Sequence, residues 1–229
     1  MKISILTLFP SAIEGYLGTS ILGIGAAKGL VEFEVVDIRD FAEGRHKQVD
    51  DRPFGGGPGM LLMPGPVVDA VERVRKGQHP DTPTVLLTPQ GKRFDQATAG
   101  EFAGLPGLIL VCGRYEGFDE RIREILNPVE LSIGDFVLAG GEPAALAVTE
   151  AVVRLLPGVL GDEDSARDDS FTTGLLEGPQ YTRPRNYRDR EVPEVLISGD
   201  HERIALWRLQ ASRERTRARR ADLIERQGG

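Results

Sequence analysis

Two glycine-rich stretches hold the residues best suited to binding chemistry: ILVCGRYEGFDER (109–121) and SIGDFVLAGGEP (132–143). Each follows a short apolar run that predicts a buried strand, and glycine at such a place lets a ligand come close to backbone N–H and C=O groups. Two loops of this kind point to one ligand site, although the same glycines also fit tight turns in a scaffold. The side chains on offer are Glu116, Asp135 and Glu142. Neither stretch has the lysine and hydroxyl residue of a P-loop, and neither has the three-glycine dinucleotide fingerprint with its distant acid. The lining therefore suits a neutral adenine edge, ribose hydroxyls or a cation better than phosphate. Gly23, Gly25 and Gly29 resemble a nucleotide loop only superficially, because the spacing is wrong and no acid follows at the usual distance.

Three further features bear on chemistry. The lone cysteine, Cys112, ends an apolar run and reads as a small buried hydrophobe rather than a nucleophile. Arg154 lies in the last turn of a predicted helix over 143–156. There it either complements the helix dipole, worth about 0.3–1 kcal/mol, or is buried and needs an anionic partner. The segment GDEDSARDDSFTTG (161–174) is acidic, glycine-bounded and without periodicity, and it predicts a mobile linker and a domain boundary.

The elements that must position these residues alternate in type. Strands are predicted over 3–9 and 33–36 with a helix over 20–28 between them, which implies parallel pairing. The segment VDDRPFGGGPGM (49–60) is too rich in glycine and proline for regular structure. Phe54 and Met60 within it favour an ordered loop. A helix over 66–75 leads to a strand at 84–87 and a third strand-end loop, TPQGKRFDQ (88–96). Strands at 108–111 and 129–133 feed the two glycine loops, so all three loops should open on one sheet edge. The helix over 143–156 is apolar on nearly every side and must be buried, against the sheet or another subunit. Beyond the linker, GPQYTRP (178–184) and EVPEVLISGDH (191–201) look extended, and 201–217 looks helical. Ile204, Trp207 and Ala211 form one stripe of that helix, with Trp207 as core anchor of a small helical domain.

With 229 residues and 40% hydrophobic content the chain can bury a full core. A single cysteine excludes an internal disulfide framework and a multi-cysteine zinc site, and fits a reducing compartment. The amino-terminal MKISILTLFP has only a short apolar stretch and no cleavage site, and no run reaches membrane-spanning length, so a cytoplasmic protein without membrane contact is expected. The net charge of -7 argues against a non-specific nucleic-acid binder, but it is unevenly spread. From Gln180 onward twelve arginines face eight acids, a local +4 that leaves -11 for the rest. Such an end is either a phosphate-contacting surface, since screening confines attraction to about 10 Å, or a solvated helix face.

The segments VDDRPFGGGPGM, TPQGKRFDQ, ILVCGRYEGFDER, SIGDFVLAGG, RLLPGVLGDEDS, DDSF, GPQYTRP and EVPEVLISGDH, in this order, resemble the bacterial tRNA (guanine-N1)-methyltransferase family over about residues 1–220. The resemblance implies a SPOUT-class α/β fold: a parallel sheet containing a deep trefoil knot, plus a small helical carboxyl-terminal domain. Periodicity could not have shown the knot, which general chain topology disfavours. It implies a knotted, S-adenosylmethionine-binding catalytic domain over 1–160, a flexible linker over 161–174 and a helical tRNA-binding domain over 175–229. It implies a homodimer with active sites shared between subunits, S-adenosylmethionine as methyl donor, a possible Mg2+ ion with no visible site, and tRNA as substrate. The position methylated would be N1 of the guanosine immediately 3′ of the anticodon, position 37.

Carried over residue by residue, the implied donor site comprises Leu87, Pro89, Gly113, Ile133, Gly134, Phe136, Leu138, Gly140 and Gly141. Asp169 would be the general base and Arg154 its partner on O6 of the base, contributed by the other subunit. Asp50 and Glu116 would face the target base or the methionine end. Ribosomal RNA or ribose methylation is a second reading, and a ribose hydroxyl would not need this acid and arginine pair. A catalytically silent RNA-binding module is a third. Two departures stand out: Phe136 where tyrosine is common, and Arg220-Ala221 in place of Arg-Pro near a short carboxyl terminus.

Overall fold

Ile3, Ile5, Leu108 and Leu110 lie on one face of a sheet and Leu6, Ile109 and Val111 on the other, and all seven are fully buried. Runs apolar on both faces are what a strand covered by helices on each side requires. In the computed structural model, which describes residues 1–161 and 169–225, these runs form β1 (Lys2–Thr7) and β6 (Gly107–Cys112) at the centre of a parallel sheet. With β2 (Glu32–Asp37), β5 (Thr84–Arg93) and β7 (Val129–Ser132), the five-stranded order is β2-β1-β6-β5-β7. The short pair β3 (Asp50–Asp51) and β4 (Leu61–Leu62) closes the neck of the glycine–proline loop.

Helices α1 (Pro10–Leu17), α2 (Ser20–Ala27), α4 (Gln96–Ala103) and α6 (Glu142–Val153) cover one face, and α3 (Pro64–Arg75) and α5 (Glu120–Leu126) the other. The expected parallel α/β sheet is borne out, with differences in detail. β1 stops at Thr7 rather than at residue 9, because the Phe9 N–H bonds Thr7 Oγ1 at 2.9 Å and Pro10 opens α1. The predicted strand 84–87 continues to Arg93: residues 88–91 loop out, and pairing with β7 resumes at Lys92↔Leu131 and Arg93↔Ser132. Phe54, expected to help order its loop, is 99% exposed and anchors nothing. The helix α6 is not buried all round; Ala147 is exposed and Leu146, Glu150 and Ala151 are half-buried.

Residues 1–161 form one compact unit and 162–229 a second. In the second, β8 (Asn186–Tyr187) and β9 (Arg190–Glu191) make a hairpin whose two turn residues, Arg188 and Asp189, have φ of 51° and 60°. That is the left-handed pair a two-residue hairpin turn demands. The segment expected to be extended over 191–201 instead contains a single 3₁₀ turn at Glu194–Ile197. Helix α7 runs His201–Arg219, with Asp200 capping it by accepting the Arg203 N–H at 3.1 Å, and α8 (Ala221–Glu225) follows. Along α7, Ile204, Trp207 and Ala211 are half-buried as their stripe predicts, and Tyr181 lies 6.4 Å from the Trp207 ring. Among the described residues, no helix is long and apolar enough to cross a membrane.

Candidate functional site at the carboxyl edge of the sheet

Because all five strands are parallel, the loops after β1, β6 and β7 and the loop-out of β5 leave on one edge, the usual ligand edge of such a sheet. Leu87, buried at 3%, lies in register between Cys112 of β6 and Leu131 of β7. Pro89 is exposed in the 88–91 loop that follows. That loop is held from below by Arg123, whose Nη2 donates to Gln90 Oε1 at 3.0 Å while its Nε bonds Glu130 Oε2 at 2.9 Å. Gly91 lies so close to the Leu131 backbone that a Cβ there would stand 2.4 Å from Glu130 C, and only glycine fits.

The loop after β7 folds back over the loop after β6. The Gly141 N–H donates to Gly113 O at 2.8 Å, and Arg114 pairs with Gly140 as an antiparallel bridge. A Cβ on Gly141 would lie 2.8 Å from both Cys112 Cα and Gly113 N, so glycine here is a close-approach requirement. Gly113 is equally tight, 2.9 Å from Leu87 O for an added Cβ. At the start of the loop, half-buried Ile133 leads into Gly134, whose carbonyl accepts the Ser132 hydroxyl at 2.9 Å and the Phe136 N–H at 2.9 Å. Phe136 and Leu138 remain 53% and 41% exposed at the rim, apolar surface that a flat base could cover. The nine residues assigned to the donor thus meet on one edge, drawn from three loops.

Asp50 and Glu116 reach the same neighbourhood through the glycine–proline loop. The Glu116 N–H donates to Met60 O at 2.9 Å, Leu62 N–H to Gly117 O at 2.9 Å, and the Glu116 side chain lies across Gly59. Asp50, opposite Leu62 in β3, lies near the phenol of Tyr115. Partial burial, followed by the charge of Asp50, pushes the Tyr115 hydroxyl above its ordinary range, so it stays protonated. Sequence reading gave Tyr115 no role; its place between Gly113 and Glu116 was the signal.

A second group is built around Glu142, which sequence reading offered to a ligand but which is only 4% exposed at the first position of α6 and turned to partners that reading missed. Its Oε1 accepts the Thr7 hydroxyl at 2.7 Å, and its Oε2 lies 3.1 Å from Arg114 Nη2 and 3.1 Å from Arg114 Nε. The Arg114 Nη1 donates to Ala139 O at 3.2 Å, and its Cζ stands 4.3 Å from the centroid of the Phe9 ring. The partners are 28 and 135 residues apart in sequence, so no local pattern announces them. Burial, and next the Glu142 charge, drive the Cys112 thiol well above its usual range, which leaves it protonated and unreactive.

The two residues assigned to catalysis belong to different units. Arg154 is the half-buried C-cap of α6 in the first. Asp169 opens the described part of the second, where its carbonyl accepts the Thr172 N–H at 3.3 Å. The following residues are tied to α7: Leu176 N–H to Thr216 Oγ1 at 2.9 Å, Ser212 Oγ to Leu176 O at 2.5 Å, and Arg215 Nη1 to the carbonyls of Glu177 and Gly178 at 3.2 Å. Residues 162–168, half of the acidic segment expected to act as a linker, lie outside the described residues.

Residues 1–226 match the family described as tRNA (Guanine-1)-methyltransferase TrmD. The chain belongs to this family. The tRNA (guanine-N(1)-)-methyltransferase of Geobacillus kaustophilus is 52% identical over 225 residues, covering 98% of this chain and 92% of that protein. The like-named protein of Rhodopirellula baltica is 54% identical over 227 residues, at 98% and 94% coverage. That of Bacillus cereus strain Q1 is 53% identical over 225 residues. Family membership and the parallel sheet together bear out the resemblance and the SPOUT-class α/β assignment read from the motifs.

Proposed function

We propose that this chain transfers a methyl group from S-adenosylmethionine to N1 of a guanosine in tRNA, the one immediately 3′ of the anticodon (position 37). The observation that carries the reading is the match across residues 1–226, joined to a sheet edge where three strand-end loops stack at backbone distance. Leu87, Pro89, Gly113, Ile133, Gly134, Phe136, Leu138, Gly140 and Gly141 hold the donor, mainly through main-chain groups, with Phe136 and Leu138 lending apolar cover to the adenine. Phe136 has no hydroxyl, so this contact is apolar where a tyrosine would add a hydrogen bond.

Asp169 removes the N1 proton of guanine, which is otherwise a poor nucleophile. A positioned carboxylate in that role contributes roughly 10² to 10⁴ in rate. As the proton leaves, negative charge grows on O6, and the Arg154 guanidinium, supplied by the other subunit of a homodimer, stabilises it more in the transition state than in the ground state. The donor supplies a sulfonium methyl carbon that accepts the N1 electron pair as its bond to sulfur breaks. No residue of the chain forms a covalent intermediate, and the buried, protonated Cys112 is not suited to one. Asp50 and Glu116 face the target base or the methionine end, with Tyr115 beside Asp50. Magnesium does not fit a preformed cage: among the described residues, no group of three or more His, Cys, Asp or Glu could hold a metal ion. No step is routed through it.

The unit boundaries follow the same reading: a knotted catalytic domain over 1–160, a linker over 161–174, and a tRNA-binding domain over 175–229. The knot is supported by the loop-out of β5 that re-pairs with β7 and by the β7 loop lying across the β6 loop. tRNA contact by residues 175–229 is supported by their twelve arginines against nine acids and by Tyr181 and Tyr187, which are 49% and 61% exposed. A dimer is supported by the exposed apolar Val137 and by the half-covered face of α6. A tRNA-directed enzyme belongs in the cytoplasm.

The test is methyl transfer from labelled S-adenosylmethionine to unmodified tRNA transcripts carrying guanosine or adenosine 3′ of the anticodon. Label on the guanosine transcript alone is expected, recovered as 1-methylguanosine. Label on both, or on neither, defeats the assignment, and 2′-O-methylation would favour the ribose reading.

A further inference from the structure

Glu142 poses a physical problem. Its carboxylate is nearly out of water, and a buried ion pair gains little net stability over apolar residues of similar volume. Helix α6 itself needs no such pair, since an exposed acid in its first turn would complement the dipole equally well. What the pair does have is reach. Through Thr7 it holds the end of β1, through Arg114 the loop after β6, and through the Arg114 bond to Ala139 O the loop after β7. Phe9 flanks the guanidinium on another side and is itself tied back to Thr7.

The glycine between these groups points the same way. At Gly140 an added Cβ would stand 2.5 Å from Arg114 Cζ and 2.5 Å from Glu142 Oε2, so the main chain is pressed against the ion pair itself. Gly140 and Gly141 are therefore glycines for two separate reasons: the first to admit the ion pair, the second to admit the backbone of Cys112 and Gly113.

We propose that Arg114 and Glu142 are positioning residues for the methyl donor: their partly buried ion pair sets the spacing between the two glycine loops that the donor must span. The inference rests on the donor site proposed above. It assigns the pair no contact with the reacting atoms. Its role is to keep the 138–141 segment from drifting away from Gly113, which a preorganised pocket requires.

The decisive variant replaces both partners, Arg114→Met with Glu142→Met, because removing both charges avoids stranding a buried one. Its melting temperature should stay near that of the unsubstituted protein, whereas its S-adenosylmethionine Kd by calorimetry should rise about tenfold or more, the loss of one charge-assisted anchor. In steady-state methylation of the tRNA transcript, KM for the donor should rise by a larger factor than kcat falls. Arg114→Lys, which keeps a charge beside Glu142 but loses the forked geometry, should restore part of the affinity. If the double variant does not fold, the isosteric Glu142→Gln serves in its place, since it keeps an acceptor for Thr7 and removes only the charge. Gly140→Ala should weaken donor binding as the pair is forced apart.

A folded double variant, or folded Glu142→Gln, that binds the donor as tightly as the unsubstituted protein overturns the inference alone. So does a fall in kcat that exceeds the rise in donor KM. Absence of donor binding by the unsubstituted protein overturns the site and the inference together.

Discussion

Replacing Gly141 with alanine tests the stacking of the two loops directly. At this residue φ is -80°, so alanine meets no backbone strain and the whole effect is steric. The new Cβ would lie 2.8 Å from Cys112 Cα and Gly113 N, where carbon contacts relax to about 3.5 Å or more. The loops must part by about 0.7 Å, lengthening the 2.8 Å bond from the Gly141 N–H to Gly113 O to the limit of a hydrogen bond. Overpacking costs about 1–3 kcal/mol and a weakened buried hydrogen bond about 1 kcal/mol more. At roughly 2–4 °C per kcal/mol for a unit of this size, the melting temperature should fall on the order of 10 °C, with donor affinity falling in parallel. Gly15→Ala is the control: it is exposed in α1 with nothing within 4 Å of an added Cβ, and it should stabilise by about 0.5–1 kcal/mol. Melting by circular dichroism and calorimetric titration with S-adenosylmethionine read both effects. A Gly141→Ala protein that melts and binds like the parent would refute the tight crossing of the loops.

Mixing inactive Asp169→Ala and Arg154→Ala subunits should restore part of the methyl transfer, since each proposed site draws one residue from each chain; no recovery after verified subunit exchange would rule out sharing. Asp95 caps α4 by accepting the Thr98 N–H at 2.9 Å, a bond that holds its carboxyl below the ordinary range despite some burial. Its contribution is therefore complete above the unfolded pKa of about 3.9 and is lost as pH falls through the lower folded value. Asp95→Ala should cost about 1 kcal/mol at neutral pH, and Asp95→Asn should keep most of the cap while flattening stability in acid, as read from denaturant melts across pH. Cys112, fully buried with its thiol pKa raised, should resist alkylation at pH 8 until the protein is denatured; labelling at the rate of a free thiol would show that β6 opens.

Much of the first unit was legible because its signals are local. Apolar runs bounded by glycine gave β1, β6 and the first part of β5, and proline at the start with apolar residues within gave α3 and α6. Three short helices were passed over although each carries a signature: Pro10 with Ile13 and Leu17 in α1, Asp95 as the cap of α4, and Asp119 as the cap of α5 with Ile122 and Leu126 inside. The continuation of β5 to Arg93 was hidden, since Pro89 and Gly91 break the pattern of a strand while the chain re-pairs beyond them. The exposure of Phe54 was equally unreadable, because burial depends on what else reaches the loop tip.

Residue order determined the chain's family, the number and sense of the strands that feed the loops, and the concentration of arginine after residue 180. Folding alone decided which groups meet: Thr7 with Glu142, Arg114 with Ala139 and Glu142, Tyr115 with Asp50, Arg123 with Gln90. Periodicity and turn chemistry act over a few residues and are written along the chain. A buried charge finds its partner only when distant strand ends are brought to a common edge, and no spacing in the sequence encodes that distance.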